Sequence, residues 1–123
     1  DYKTLWKYRK KIRKIEILKR SWVFATLSRR EGFPIAVSEA MAASLPIVTT
    51  NNPDNGTRHI CKQYGCGVVA QPNTHSVSDA ILNLYSDDDL YECYSRNALD
   101  ASRVLDWDAS TMCLHEFLKT LVA

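Results

Sequence analysis

Two carboxylates, Glu31 and Glu39, are separated by seven residues within RREGFPIAVSEAMAASLPIV, where most of the other side chains are small or apolar. An ionised carboxylate only accepts hydrogen bonds, and its two oxygens can take two vicinal hydroxyl donors. Gly32 and Pro34 mark a loop, and the apolar run after them reads as a helix over residues 35–44. One acid therefore falls in the loop and the other one turn into the helix. Between them lies a helix N-terminus, where free backbone N–H groups favour an anion. Such an arrangement suits a phosphorylated, hydroxyl-rich ligand.

The elements that must carry this motif follow from the flanking patterns. Residues 22–27, WVFATL, read as a short, continuously apolar strand of the kind found in parallel sheets covered on both faces. Pro34 sits where a first-turn proline is tolerated. The helix after it, IAVSEAMAAS, is apolar nearly all round and should be buried, so Glu39 needs a partner. Residues 46–50 form a second strand, NNPDNG a polar loop, residues 57–63 a short helix, and residues 67–70 a third strand. This alternation predicts right-handed crossovers and an α/β fold with a Rossmann-like parallel sheet.

The C-terminal third reads as helix throughout. Val77, Ala80, Ile81, Leu84 and Tyr85 make one stripe, with Ser76 as its N-cap. A second helix starts at residues 87–89 and buries Leu90, Tyr94, Ala98, Ala101 and Leu105. A third runs from Trp107 through Thr111, Leu114, Leu118 and Leu121, with Asp106 as its cap. All these stripes are expected to be core. Three strands are few for an open parallel sheet. The chain is therefore expected to be half a domain, completed by upstream sequence or by a partner. Its first residue, Asp1 rather than Met, leads to the same expectation of a longer parent.

Composition narrows the function classes. The chain has 123 residues, 46% hydrophobic and 24% charged, which is ordinary for a globular domain. No apolar run reaches membrane-span length, and no signal peptide is apparent. Cys61, Cys66, Cys93 and Cys113 follow no zinc pattern and His59, His75 and His115 are scattered, so neither a metal nor a cofactor is expected. Reduced thiols in a cytoplasmic protein are the expectation. The formal charge of +2 hides an asymmetry, since residues 1–20 hold nine Lys or Arg against Asp1 and Glu16. Leu5, Tyr8, Ile12, Ile15 and Leu18 recur there at helical spacing and describe one packed face, with the charges on a solvated one. No interleaved aromatics or binding motif point to nucleic acid. Peripheral contact with an anionic membrane face is the weaker alternative. The chain thus divides into a basic helix (1–20), a strand/helix core with the motif (21–75) and a helical cover (76–123), all within one partial domain.

The order of motifs resembles the C-terminal half of the nucleotide-sugar-binding domain of family-4-type retaining glycosyltransferases, which have the two-domain GT-B fold. Their typical line is A-D-V-F-V-x-P-S-x-x-E-G-F-G-x-x-x-x-E-A-M-A-x-G-x-P-V-I. Here the stretch is S-W-V-F-A-T-L-S-R-R-E-G-F-P-I-A-V-S-E-A-M-A-A-S-L-P-I-V. Similarity spans about residue 18 to the end: G-C-G-V-V-A-Q-P resembles the family's G-x-L-V-x-P strand, and W-D-A-S its closing helix.

The resemblance implies roles. Glu31 would meet the donor sugar's hydroxyls near the reacting centre, as the catalytic carboxylate. Backbone amides of Gly32, Phe33, Ile35 and Ala36 would face the sugar and diphosphate; Pro34 has no N–H to offer. Glu39 would accept from the ribose hydroxyls. The donor would be a UDP-, GDP- or ADP-sugar, used without a divalent metal. The acceptor, a glycan or a lipid-linked one, would bind an N-terminal domain. Basic side chains that stabilise the leaving phosphate belong to upstream sequence in typical members. Arg29 and Arg30 read first as solvated loop residues and second as candidates to approach the sugar phosphate. Departures stand at Leu27 for Pro, at Ser44 for the Gly after the helix, and at Arg58 for a Glu in a Gly-Gly-x-x-Glu loop. The competing reading is a non-catalytic half-domain that keeps the motif as a scaffold for binding a partner.

Overall fold

The computed structural model describes residues 2–122; Asp1 and Ala123, and with them the ends of the predicted basic helix and helical cover, lie outside the described residues. Helix α1 (Tyr2–Arg20) leads into strand β1 (Phe24–Thr26), then α2 (Ile35–Ala42), β2 (Ile47–Thr50), α3 (Thr57–Tyr64) and β3 (Gly67–Ala70). Helices α4 (Thr74–Ser86), α5 (Asp88–Val104) and α6 (Trp107–Val122) follow. The three strands form one parallel sheet in the order β1-β2-β3, with Phe24 opposite Ile47 and Ile47 opposite Gly67. The predicted α/β alternation and parallel sheet are observed.

Central strand β2 is buried along its whole length. Its side chains alternate between the two faces, as the pleat requires. Ile47 joins Val37, Met41, Ile60 and Ala98 in a core under α2, α3 and α5. Val48 joins Ala70, Ala80 and Leu84 in a second core under α4. Helix α5 closes both, with Ala98 and Ala101 in the first and Leu90 and Tyr94 against the second. Truncating Met41 or Leu84 to Ala would cost about 2–5 kcal/mol at such sites. Before β1, Trp22 stacks on Tyr91 with ring centroids 4.8 Å apart, and Tyr91 Oη donates to the Trp22 carbonyl at 2.9 Å. Partial burial raises the Tyr91 hydroxyl above its ordinary pKa.

Several expectations are corrected. The cap of α4 is Asn73, whose side chain accepts from the Ser76 N–H at 2.9 Å; Ser76 is the donor, not the cap. No residue of α6 is buried, and Trp107 is 81% exposed. In α1 the stripe Leu5, Tyr8, Ile12 and Ile15 is exposed too, and only Leu18 packs on the core. Periodicity shows that a helix has an apolar face; it does not supply the surface that covers it. Helix α2 is buried on one side only, through Val37, Ala40 and Met41, while Ile35 is 70% exposed. The turn after it contains Ser44 at φ 60, the left-handed region in which a Cβ is strained. The resemblance implies a Gly at this position, which would carry the same φ without that strain.

Candidate functional site

The loop after β1 is held from beneath. The Glu31 N–H donates to the Asp54 carbonyl at 3.0 Å, and the Gly56 N–H donates to the Glu31 carbonyl at 2.7 Å, which makes a parallel bridge between Glu31 and Asn55. The two backbones approach so closely that a Cβ on Gly56 would lie 2.2 Å from the Gly32 carbonyl oxygen. Only glycine fits there. Asn55 is buried, and its Nδ2 donates to Thr49 Oγ1 at 2.8 Å and to the Thr50 carbonyl at 3.1 Å. Its Oδ1 accepts from the Thr57 N–H at 3.1 Å, while Thr49 Oγ1 donates to the Thr26 carbonyl at 2.9 Å. One buried chain of hydrogen bonds thus links the carboxyl ends of β1 and β2 to the loop that carries Glu31. The Asn55 amide is paired at both ends in it, while the neighbouring Thr57 hydroxyl is buried without a hydrogen-bond partner. The Arg30–Asp54 pair, exposed and 3.4 Å long, adds little.

Glu31 itself is half-buried, whereas Gly32, Phe33, Ile35 and Ala36 are exposed. Pro34 occupies the N-cap position of α2 in extended conformation (φ −74, ψ 127), and no side chain caps the helix. The space beside the Gly32 Cα is open, and a Cβ there would meet nothing within 4 Å. Glu39, half-buried, does have the partner its setting demands: Oε1 accepts from Lys14 Nζ at 2.7 Å. Its second oxygen leaves capacity for a hydroxyl donor.

Two cavities flank the loop. One, about 530 Å³, has Phe33, Ile35, Ser38 and Glu39 on one wall and Leu105 and Trp107 on the other. The second, about 350 Å³, lies at the carboxyl ends of the strands between Arg29, Thr50, Asn52 and the start of α4 at Asn73. Ligands of open α/β sheets gather at that edge. Arg29 lines one cavity and Phe33 the other, so Glu31 lies on the segment that divides them. The structure therefore brings Phe33, Ile35 and Glu39 to one cavity and leaves Glu31, Gly32 and Ala36 off its lining.

Sequence reasoning missed Lys14, Asn55 and Gly56 as parts of this site. Lys14 is one of nine similar cations, and its partner is 25 residues away, so no local pattern marks it. Asn55 and Gly56 read as turn formers in a loop that the resemblance sets near the phosphates, and nothing local marks them as the support of the Glu31 loop. Arg58, where the resemblance implies a Glu, donates through Nη1 to Asn51 Oδ1 at 3.2 Å, and its Nε is buried without a hydrogen-bond partner. Among the described residues no group of three or more His, Cys, Asp or Glu side chains is placed to hold a metal ion. Cys61 and Cys66 are both buried, and Cys66 Sγ donates to the Ile60 carbonyl at 3.9 Å. Interaction between the two thiols, and then burial, push Cys61 well above its ordinary range, while the same interaction draws Cys66 down.

A family profile described as "Glycosyl transferases group 1" matches residues 4–100. The chain belongs to this family. The group 1 chain is 35% identical over 74 residues to trehalose phosphorylase of Grifola frondosa, a match covering 58% of the chain and 10% of that protein. It is 31% identical over 86 residues to a probable sucrose-phosphate synthase 1 of Oryza sativa subsp. indica, covering 69% of the chain and 8% of the relative. Among solved structures, it is similar to WaaG, a glycosyltransferase involved in lipopolysaccharide biosynthesis, with TM-score 0.62 and 20% identity over 72% of the chain and 24% of WaaG. Sucrose-phosphate synthase from Thermosynechococcus elongatus gives TM-score 0.62 and 18% identity over 80% of the chain and 25% of that structure. These likenesses establish the fold as that of GT-B glycosyltransferases. The chain spans about a tenth of the curated relatives' length and about a quarter of the two structures'.

Proposed function

We propose that this group 1 chain forms the donor-side portion of a retaining, family-4-type glycosyltransferase and grips a nucleotide-sugar between Glu31 and Glu39. The observation that carries this reading is the folded form of the motif. The loop acid rests on a rigid backbone bridge, and the helix acid shares a cavity wall with Phe33 and Ile35. In this reading Glu39 accepts from the ribose hydroxyls and trades part of its Lys14 contact for them. The amides of Gly32, Phe33, Ile35 and Ala36 meet the diphosphate at the uncapped start of α2, where the helix dipole favours negative charge. Glu31 orients the sugar hydroxyls, and the acceptor, a glycan or a lipid-linked one, approaches from elsewhere in the whole enzyme.

Titration calorimetry with UDP-, GDP- and ADP-sugars tests this. A sugar phosphate is the further arm, because the relatives include, by name, a trehalose phosphorylase and a probable sucrose-phosphate synthase. We expect saturable binding of one nucleotide-sugar, weakened by about ten- to a hundredfold in Glu39→Ala, the range for losing a hydrogen bond to a charged group. Glu31→Ala should mainly lower turnover where the whole enzyme is assayed. A folded protein that binds none of these ligands sinks the reading. Arg58 favours a second reading, a non-catalytic module, because this cation at the start of α3, two residues after Gly56, stands where the resemblance implies a Glu. In that reading a partner complex forms unchanged after both glutamates are replaced.

A further inference from the structure

We infer that α1 is a docking helix for an anionic lipid surface. Its 19 residues carry nine Lys or Arg and, among the described residues, a single acid, Glu16. The body holds the C-terminal half of the helix, where Leu18 packs on the core and Lys14 pairs with Glu39. Before that anchor, Leu5, Tyr8, Ile12 and Ile15 follow one another at helical spacing, all exposed. Arg9, Lys11 and Lys19 border or interrupt this stripe.

Charge complementarity decides the occupant. A helix this basic calls for a polyanion, and an apolar stripe along the same helix calls for an apolar medium. A bilayer interface supplies both: headgroup phosphates meet the cations while aliphatic side chains enter the acyl boundary. Long basic side chains beside the stripe extend their stems over apolar surface and keep their charge in the headgroup layer. A nucleic acid would satisfy the cations but leave the stripe in water. Helix α6 provides the contrast. It too exposes large apolar side chains, Trp107, Met112 and Phe117 among them, yet its Asp108 and Glu116 offset Lys119, so charge selects no partner for it. The inference stands apart from the nucleotide-sugar reading, since none of the residues to be replaced lines the cavity holding Glu39.

Co-sedimentation of the protein with vesicles tests it, using phosphatidylcholine alone and with about a third replaced by phosphatidylglycerol. We expect binding only to the anionic vesicles, falling as salt is raised. Arg9→Glu/Lys11→Glu/Lys19→Glu should lower partitioning by at least about a hundredfold, from the usual contribution of each cation near such a surface. Leu5→Gln/Ile12→Gln, which keeps every charge, should also lower it several-fold. Both variants alter exposed positions, and circular dichroism verifies that they fold. Three results would each overturn the inference: no binding to anionic vesicles, binding indifferent to Leu5→Gln/Ile12→Gln, or equal retention on heparin with the apolar variant unaffected.

Discussion

The two acids of the motif are held in opposite ways. Glu31 is fixed through its backbone, by the bridge to Asn55 and the buried amide network below it. Glu39 is fixed through its side chain, by one ion pair with a lysine that is itself half exposed. Backbone fixation positions an atom whatever the solvent contains. A surface ion pair contributes little and yields to a competing donor. Under the proposed function the difference suits them to different duties: a rigid position beside the donor sugar for Glu31, and an adaptable acceptor on a cavity wall for Glu39.

Substitutions can break or sharpen that contrast. The largest effect is expected from Gly56→Ala, whose methyl would overlap the Gly32 carbonyl. It should destabilise by about 3 kcal/mol, at the upper end of overpacking costs, as read from the urea midpoint. Asn55→Ala removes a buried amide and leaves the Thr57 N–H and Thr49 hydroxyl short of partners. A loss of about 2 kcal/mol is expected, with weaker nucleotide-sugar binding; unchanged stability and binding would mean that the network does not hold the loop. Ser44→Gly should act in the other direction and stabilise by about 1 kcal/mol, because glycine relieves the left-handed strain. Lys14→Ala should move stability by less than about 1 kcal/mol while shifting nucleotide-sugar affinity, since it acts on Glu39 alone. If Lys14→Ala instead costs as much as Asn55→Ala, the two acids are equally rigid and the contrast fails. Smallest in consequence, a thiol reagent should modify Cys93 and Cys113 quickly and Cys61 and Cys66 only on unfolding, counted by absorbance.

The helix α4 and the helices α1 and α6 show where sequence patterns stop. All three carry apolar stripes of comparable quality. Leu84 of α4 is fully buried, whereas Trp107 of α6 and Leu5 of α1 stand in solvent. Asn73 rather than Ser76 caps α4 because the chain turns three residues earlier than the stripe suggests. Within the site, Gly32 and Phe33 emerge exposed in the loop before α2, and so do Ile35 and Ala36 of its first turn, which the apolar pattern assigns to a buried helix.

What sequence by itself determined was local: β-branched and apolar runs of strand length, helix periodicity, turn residues, and the spacing that puts one acid in a loop and the next a turn into a helix. These rest on steric preferences and repeats that act over a few residues. Only the tertiary structure decided that Lys14 closes on Glu39, that Asn55 bolts the Glu31 loop to the ends of two strands, and which apolar faces find cover. Each of these joins groups distant in sequence, through distances and burial that no short-range preference encodes.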